Sequence, residues 1–166
     1  MRTIALTALV LVLLGTISSG GQGTAPAEIV QQVRARWIAS SEYTVAVAEQ
    51  MPAEKFAFRA TAEQMTFGEQ LLHIAEQNQL IFREVLHDAR ADKQPVALSK
   101  ADVLARLKET TALGLKVLQE RSSVSGADLA ALLDGMMLAL DHTTHHRGQL
   151  IVYLRLNGMT PPEYRR

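Results

Sequence analysis

Helical periodicity is the feature that most narrows what this chain can fold into. Apolar residues recur at spacings of three and four in four separate stretches, and β-branched residues nowhere alternate in strand fashion. The first stretch runs from about Ala27 to Met51, on Ile29, Val33, Trp37, Thr44, Val47 and Met51. Pro26 suits the start of a helix, where its missing N–H is not needed, and Pro52 falls where a helix stops. A connector from Ala53 to Met65 follows, with a short turn expected over Thr61 to Gln64. Thr66-Phe67-Gly68-Glu69 is a capping-box pattern and opens the second helix, which continues through Leu72, Ile74, Leu80, Ile81, Val85 and Leu86. Asp88 to Leu98 reads as a polar loop. Ser99, with Asp102 three residues on, announces the third helix, whose stripe is Val103, Leu104, Leu107, Leu115 and Leu118. Ser122 to Gly126 interrupts it. The fourth helix extends from about Ala127 to Asn157, where Gly158 fits a left-handed cap and Pro161-Pro162 prevents continuation.

These stretches predict an all-α protein, a four-helix bundle over residues 27–166, with helices of roughly 30 Å or more. The 166 residues suffice for one domain that needs no covalent staple. Residues 1–25 stand apart. Arg2 is the only charge before Glu28, Ile4 to Leu14 is nearly all apolar, and small residues follow. That is the layout of a secretory signal peptide, with cleavage between about Gly20 and Ala27. The apolar run is too short for a membrane span, which takes about 20 residues. The same residues also fit an uncleaved N-terminal anchor or a start codon assigned too far upstream. Under the signal-peptide reading the domain is exported, periplasmic or secreted, and keeps no stable membrane anchor.

Charge and cysteine content exclude several functions. Seventeen basic and seventeen acidic residues cancel, which argues against a nucleic-acid binder, since that would carry a basic excess. With no Cys there is no disulfide, thiolate zinc site, iron–sulfur cluster or cysteine nucleophile. Imidazole and oxygen ligands remain.

Three of the five His lie in Asp141-His142-Thr143-Thr144-His145-His146-Arg147-Gly148-Gln149. His142 and His146, four apart, share one helical face. That face also carries Ala139, Leu150 and Tyr153, so it points inward, where an imidazole must be neutral, hydrogen-bonded or metal-bound. Spacing alone is weak evidence for a metal pair, since two hydrogen-bonded core histidines or two solvent-facing ones show the same pattern. His73, among Leu71, Leu72 and Ile74 on another helix, reads as a core histidine or a third ligand; three inward His would leave positions open for water or substrate. His145 diverges by about 100° from His146 and belongs beside the site or at the surface. His87 sits at the end of the second helix, where the dipole favours partial positive charge. Glu76, three residues after His73, is a candidate ligand or base, or else a solvated side chain. The zincin motif fails because Thr143, not Glu, follows His142.

The residues around His73 (Phe-Gly-Glu-x-Leu-Leu-His-Ile) and the run Asp-His-x-x-His-His-Arg-Gly-Gln-Leu-x-x-Tyr-Leu-Arg-x-Asn-Gly-x-x-Pro-Pro resemble the DinB/YfiT-like superfamily, over about residues 27–164. The resemblance implies a four-helix bundle with a divalent metal, zinc, nickel, manganese or iron, on His73, His142 and His146. It implies thiol-dependent transferase or isomerase activity in some relatives, and frequent homodimers. Gln149 and Tyr153, at i+3 and i+7 from His146, are candidate pocket residues, or a polar cap and a packing side chain. Arg147 and Gly148 turn away from the ligand face, Arg147 toward an acidic partner and Gly148 to permit close packing. Two functions are expected to compete: a metal-dependent hydrolase or transferase acting on a small molecule, and a non-catalytic metal- or ligand-binding envelope protein linked to stress. A bundle without metal is the third reading.

Overall fold

The computed structural model describes residues 25–87 and 99–164. Residues 1–24 of the expected signal peptide and the whole of the expected polar loop, Asp88 to Leu98, lie outside them. Four helices form: α1 (Pro26–Gln50), α2 (Phe67–Val85), α3 (Lys100–Glu120) and α4 (Gly126–Leu156), with a short 3-10 turn, Ala53–Lys55, after α1. No strand occurs among the described residues.

The boundaries follow the local chemistry. Pro26 occupies the first turn of α1. The Thr66 hydroxyl accepts from Glu69 N–H while the Glu69 carboxylate accepts from Thr66 N–H at 2.7 Å, completing the capping box. Ser99 caps α3 by accepting from Asp102 N–H. After α4, Gly158 takes φ +74°, its N–H bonds Arg155 O, and Met159 N–H reaches back to Leu154 O. Those two bonds are the paired closure of a Schellman motif, which needs a left-handed residue where Gly158 stands. His87 ends α2 with φ +54°, a conformation that histidine tolerates better than bulkier residues.

Each helix packs on two others, α1 and α2 both lying between α3 and α4. Side-chain pairings fix the directions. The Lys100 ammonium donates to Glu49 O and Met51 O, and Gly114 faces Trp37, so α1 and α3 are antiparallel. Ala75 meets Thr110 and Phe82 meets Gly114, so α2 and α3 are parallel. His73 meets His142 and Val85 meets Gly135, so α2 and α4 are antiparallel. The helices therefore run up, down, down, up.

The buried face of α2 differs from the expected stripe. Leu71, Ile74, Ala75, Asn78 and Phe82 are buried, whereas Leu72 is half-buried and Leu80 is 45% exposed. Several apolar residues are adjacent in this helix, and only the neighbours decide which of them turn inward. The core forms two apolar clusters. One gathers Tyr43, Val47, Met51, Phe67, Leu71, Ile74, Val103, Leu150 and Leu154; the other gathers Val30, Trp37, Phe82, Val117, Leu118, Leu132 and Met136. Thr44, Asn78, Thr110 and Thr143, one from each helix, are also buried. Along their helices Asn78, Thr110 and Thr143 fall between the two clusters, and Thr44 sits at the near edge of the first, next to Tyr43.

Gly148 does not serve close packing as expected. It is exposed, and a Cβ there would meet nothing within 4 Å. The tight approaches are elsewhere: a Cβ on Gly135 would lie 2.5 Å from Val85, and one on Gly114 would lie 2.6 Å from the Trp37 indole nitrogen.

Candidate metal centre

His73 lies in the second turn of α2, and His142 and His146 lie one turn apart on α4. The antiparallel packing of the two helices brings their rings together, with centroids 4.6–5.0 Å apart. Each ring offers one nitrogen, and the three nitrogens lie within 4.8 Å of one another, so the cluster could hold a metal ion. His146 is buried, and His73 and His142 are half-buried.

The donor atoms suit such an ion. Nε2 of His142 stands 3.2 Å from Nε2 of His73. Two nitrogen ligands on a tetrahedral centre with bonds of about 2.05 Å are separated by roughly 3.3 Å. Two bare lone pairs at this distance repel, so the contact calls for either a shared proton or a cation between them. The third ring is oriented from behind: His146 Nδ1 lies 3.2 Å from Gln70 Oε1. Gln70 is 1% exposed, and its carbonyl has no proton to give, so Nδ1 of the neutral ring must carry the hydrogen. Nε2 is thereby left as the free donor toward the other two rings, the arrangement by which an outer hydrogen bond fixes a ligand's tautomer. Nδ1 of His142 is buried with no hydrogen-bond partner among the described residues.

Electrostatics favour neutral rings. Burial, followed by the charges of His142, His73 and His145, lowers the His146 pKa to about 4. Burial first, then His73 and His145, also lowers that of His142, against a small opposing pull from Asp141. Neutral imidazoles are the form that binds metal, so these rings need not shed a proton at pH 7 to do so.

The remaining candidates stand outside the cluster. Glu76 is exposed. Gln149 is half-buried and its Nε2 lies 3.1 Å from Nε2 of the exposed His145. The Tyr153 hydroxyl points to Gln64 Oε1 at 3.1 Å and Met65 O at 3.0 Å, and its ring meets Phe58 edge-on, so it ties α4 to the connector after α1. Arg147 points away from the cluster, as expected, but an acidic group is not what receives it. Its guanidinium donates to Ser40 O, to the hydroxyls of Ser40 and Thr44, and to that of Thr144, and lies 5.1 Å from the Tyr43 ring. Arg147 thus fastens α4 to α1 one residue from His146. Tyr43 in turn donates to Pro162 O, holding the tail against α1.

Sequence reasoning did not find Gln70. Its signal was present: it precedes His73 by three residues, so it shares the His73 side of α2, and it is an amide within an apolar face. That it serves His146 on another helix was not readable.

Fold and site together define a four-helix bundle with a three-histidine cluster between two antiparallel helices. The DinB family profile matches residues 28–165, and the chain belongs to the DinB family. Three solved structures show the same fold. A DinB-like protein from Bacillus cereus is 19% identical with a TM-score of 0.68, over 80% of this chain and 95% of that one. One from Bacillus subtilis is 20% identical with a TM-score of 0.62, over 81% and 99%. A DinB-family member from Exiguobacterium sibiricum is 19% identical with a TM-score of 0.56, over 81% and 93%. No curated protein matches the chain significantly.

Proposed function

We propose that the protein is an exported metal-dependent enzyme that holds one divalent ion on His73, His142 and His146 and acts on a small molecule as a hydrolase or a thiol or other small-molecule transferase. The observation that carries this reading is the convergence of three imidazole nitrogens within 4.8 Å, one ring being held in its ligating tautomer by Gln70. A divalent ion on three neutral imidazoles retains open coordination positions and supplies Lewis acidity there. Zinc, nickel and iron suit imidazole ligands, and manganese binds such a set most weakly, with affinity ordered largely by the Irving–Williams series. Gln70 orients His146, and the half-buried rings of His73 and His142 leave the cluster reachable from outside. Export rests on the composition of residues 1–25, and a homodimer on the family resemblance. No helix among the described residues is long and apolar enough to cross a membrane.

A second reading, a non-catalytic metal- or ligand-binding envelope protein, draws on one observation. The groups nearest to a general base are all placed elsewhere: Glu76 is exposed, Gln149 is paired with His145, and the Tyr153 hydroxyl is taken up by the connector.

Elemental analysis of untagged protein, reconstituted with zinc, nickel or manganese, tests the site. One ion per chain is expected, lost in His142→Ala. Failure to retain any of the three ions would overturn the metal reading. A hydrolase and thiol-transfer panel then separates the two functions, because an activity that survives in His142→Ala does not depend on the metal.

A further inference from the structure

A cavity of about 20 Å³ lies inside the bundle, away from the histidines, where all four helices contribute polar groups: Ser41 and Thr44 from α1, Asn78 from α2, Thr110 and Thr111 from α3, Thr143 from α4. Asn78 is 2% exposed, and its Nδ2 donates to Thr143 Oγ1 at 2.8 Å. Its Oδ1 is buried with no partner among the described residues. Turning the amide over does not help. Oδ1 would then accept from Thr143, and the NH₂ group would be left without an acceptor. A buried amide heteroatom without a partner is costly and uncommon in native interiors, and an ordered water is a usual remedy.

The neighbouring hydroxyls are suited to bind that water. Thr44 gives its hydrogen to Ser40 O, and Thr110 has Ala75 O and Arg106 O as acceptors for its own. Both oxygens retain lone pairs toward a donor. Thr143 accepts from Asn78 and still has its own hydrogen to give. One buried water needs a polar cavity of at least about 10–15 Å³ and two to four partners, and this cavity meets both conditions.

We propose that this cavity is a binding site for a single water molecule, which donates to Asn78 Oδ1 and links it to the threonine hydroxyls of α3 and α1, Thr110 and Thr44. The site closes a polar layer between the two apolar clusters. Asn78 and Thr143, which bridge α2 and α4 there, are close in sequence to the ligand-bearing positions His73 and His142.

A crystal structure at a resolution that shows ordered solvent tests the proposal directly. The expected result is a well-defined peak at about 2.7–3.2 Å from the Asn78 amide and from at least one hydroxyl of Thr44, Thr110 or Thr143. Empty density, or an Asn78 amide fully bonded to protein atoms, would overturn it. In solution, water magnetic relaxation dispersion should count one long-lived water fewer in Asn78→Leu than in the parent. Thr110→Val keeps the shape and removes one partner; should Asn78→Leu fail to fold, it should shorten the residence time of that water severalfold. An unchanged dispersion in the folded variant would equally refute the site.

Discussion

Gln70 offers the sharpest test of the proposed metal site because it touches a candidate ligand, His146, without being one itself. Its carbonyl stands 3.2 Å from His146 Nδ1 and is shut off from solvent, so no water can take its place. Replacing it by Leu keeps the volume but deletes the acceptor. Two effects follow: the His146 ring loses its fixed tautomer, and a buried N–H is left without a partner. Removing such an outer partner costs about 10–100-fold in metal affinity. The contact lies at the long end of the N–H···O range, so the lower part applies, about 10–30-fold, or about 1.4–2 kcal/mol. Competition of the protein with a chromophoric chelator for zinc at pH 7.5 reads this directly, with circular dichroism verifying that the variant keeps its helices. Gln70→Glu retains an acceptor and should hold affinity near or above that of the parent. A Gln70→Leu variant that binds zinc within twofold of the parent would refute the reasoning, because it would mean that His146 is oriented by packing alone.

Two further outcomes follow from the geometry. In the metal-free protein, acid should destabilise the fold before most carboxylates titrate. The His146 pKa falls from an unfolded value near 6.5 to about 4, so the unfolded chain takes up a proton that the folded one resists. This contribution is intact above pH 6.5, declines as pH falls through that window, and is lost below about 4, at a cost of about 2–3 kcal/mol. Urea midpoints measured from pH 7 to 4 should show the decline, and His146→Gln should flatten it above pH 5; a flat parent profile would contradict it. In the core, Gly114→Ala should destabilise by about 1–2 kcal/mol despite the better helix propensity of Ala. Its Cβ would lie 2.6 Å from Trp37 Nε1, 2.7 Å from Trp37 Cε2 and 2.9 Å from Phe82. The indole cannot easily yield, since it is bonded to Thr111 O at 3.0 Å and set edge-on against Phe82. Thermal melting at an unchanged or higher temperature would refute this.

The sequence by itself determined the helices and their ends. The capping box at Thr66, the cap at Ser99 and the left-handed stop at Gly158 are local interactions, complete within a few residues, so pattern reading finds them. It also placed His142 and His146 on one face, because a four-residue spacing fixes that wherever the helix lies. Tertiary structure alone decided the rest. Whether His73 meets that pair depends on α2 running antiparallel to α4 in one register, which no local pattern encodes. The same packing chose Leu71 over Leu72 for the core, drew Gln70 to His146, turned Arg147 onto the oxygens of α1, and left Gly148 open while Gly114 and Gly135 took the close contacts. A helical period specifies a face and no more. The partner of that face is set by side chains distant in sequence, and the three-histidine cluster lies at such a meeting of two faces.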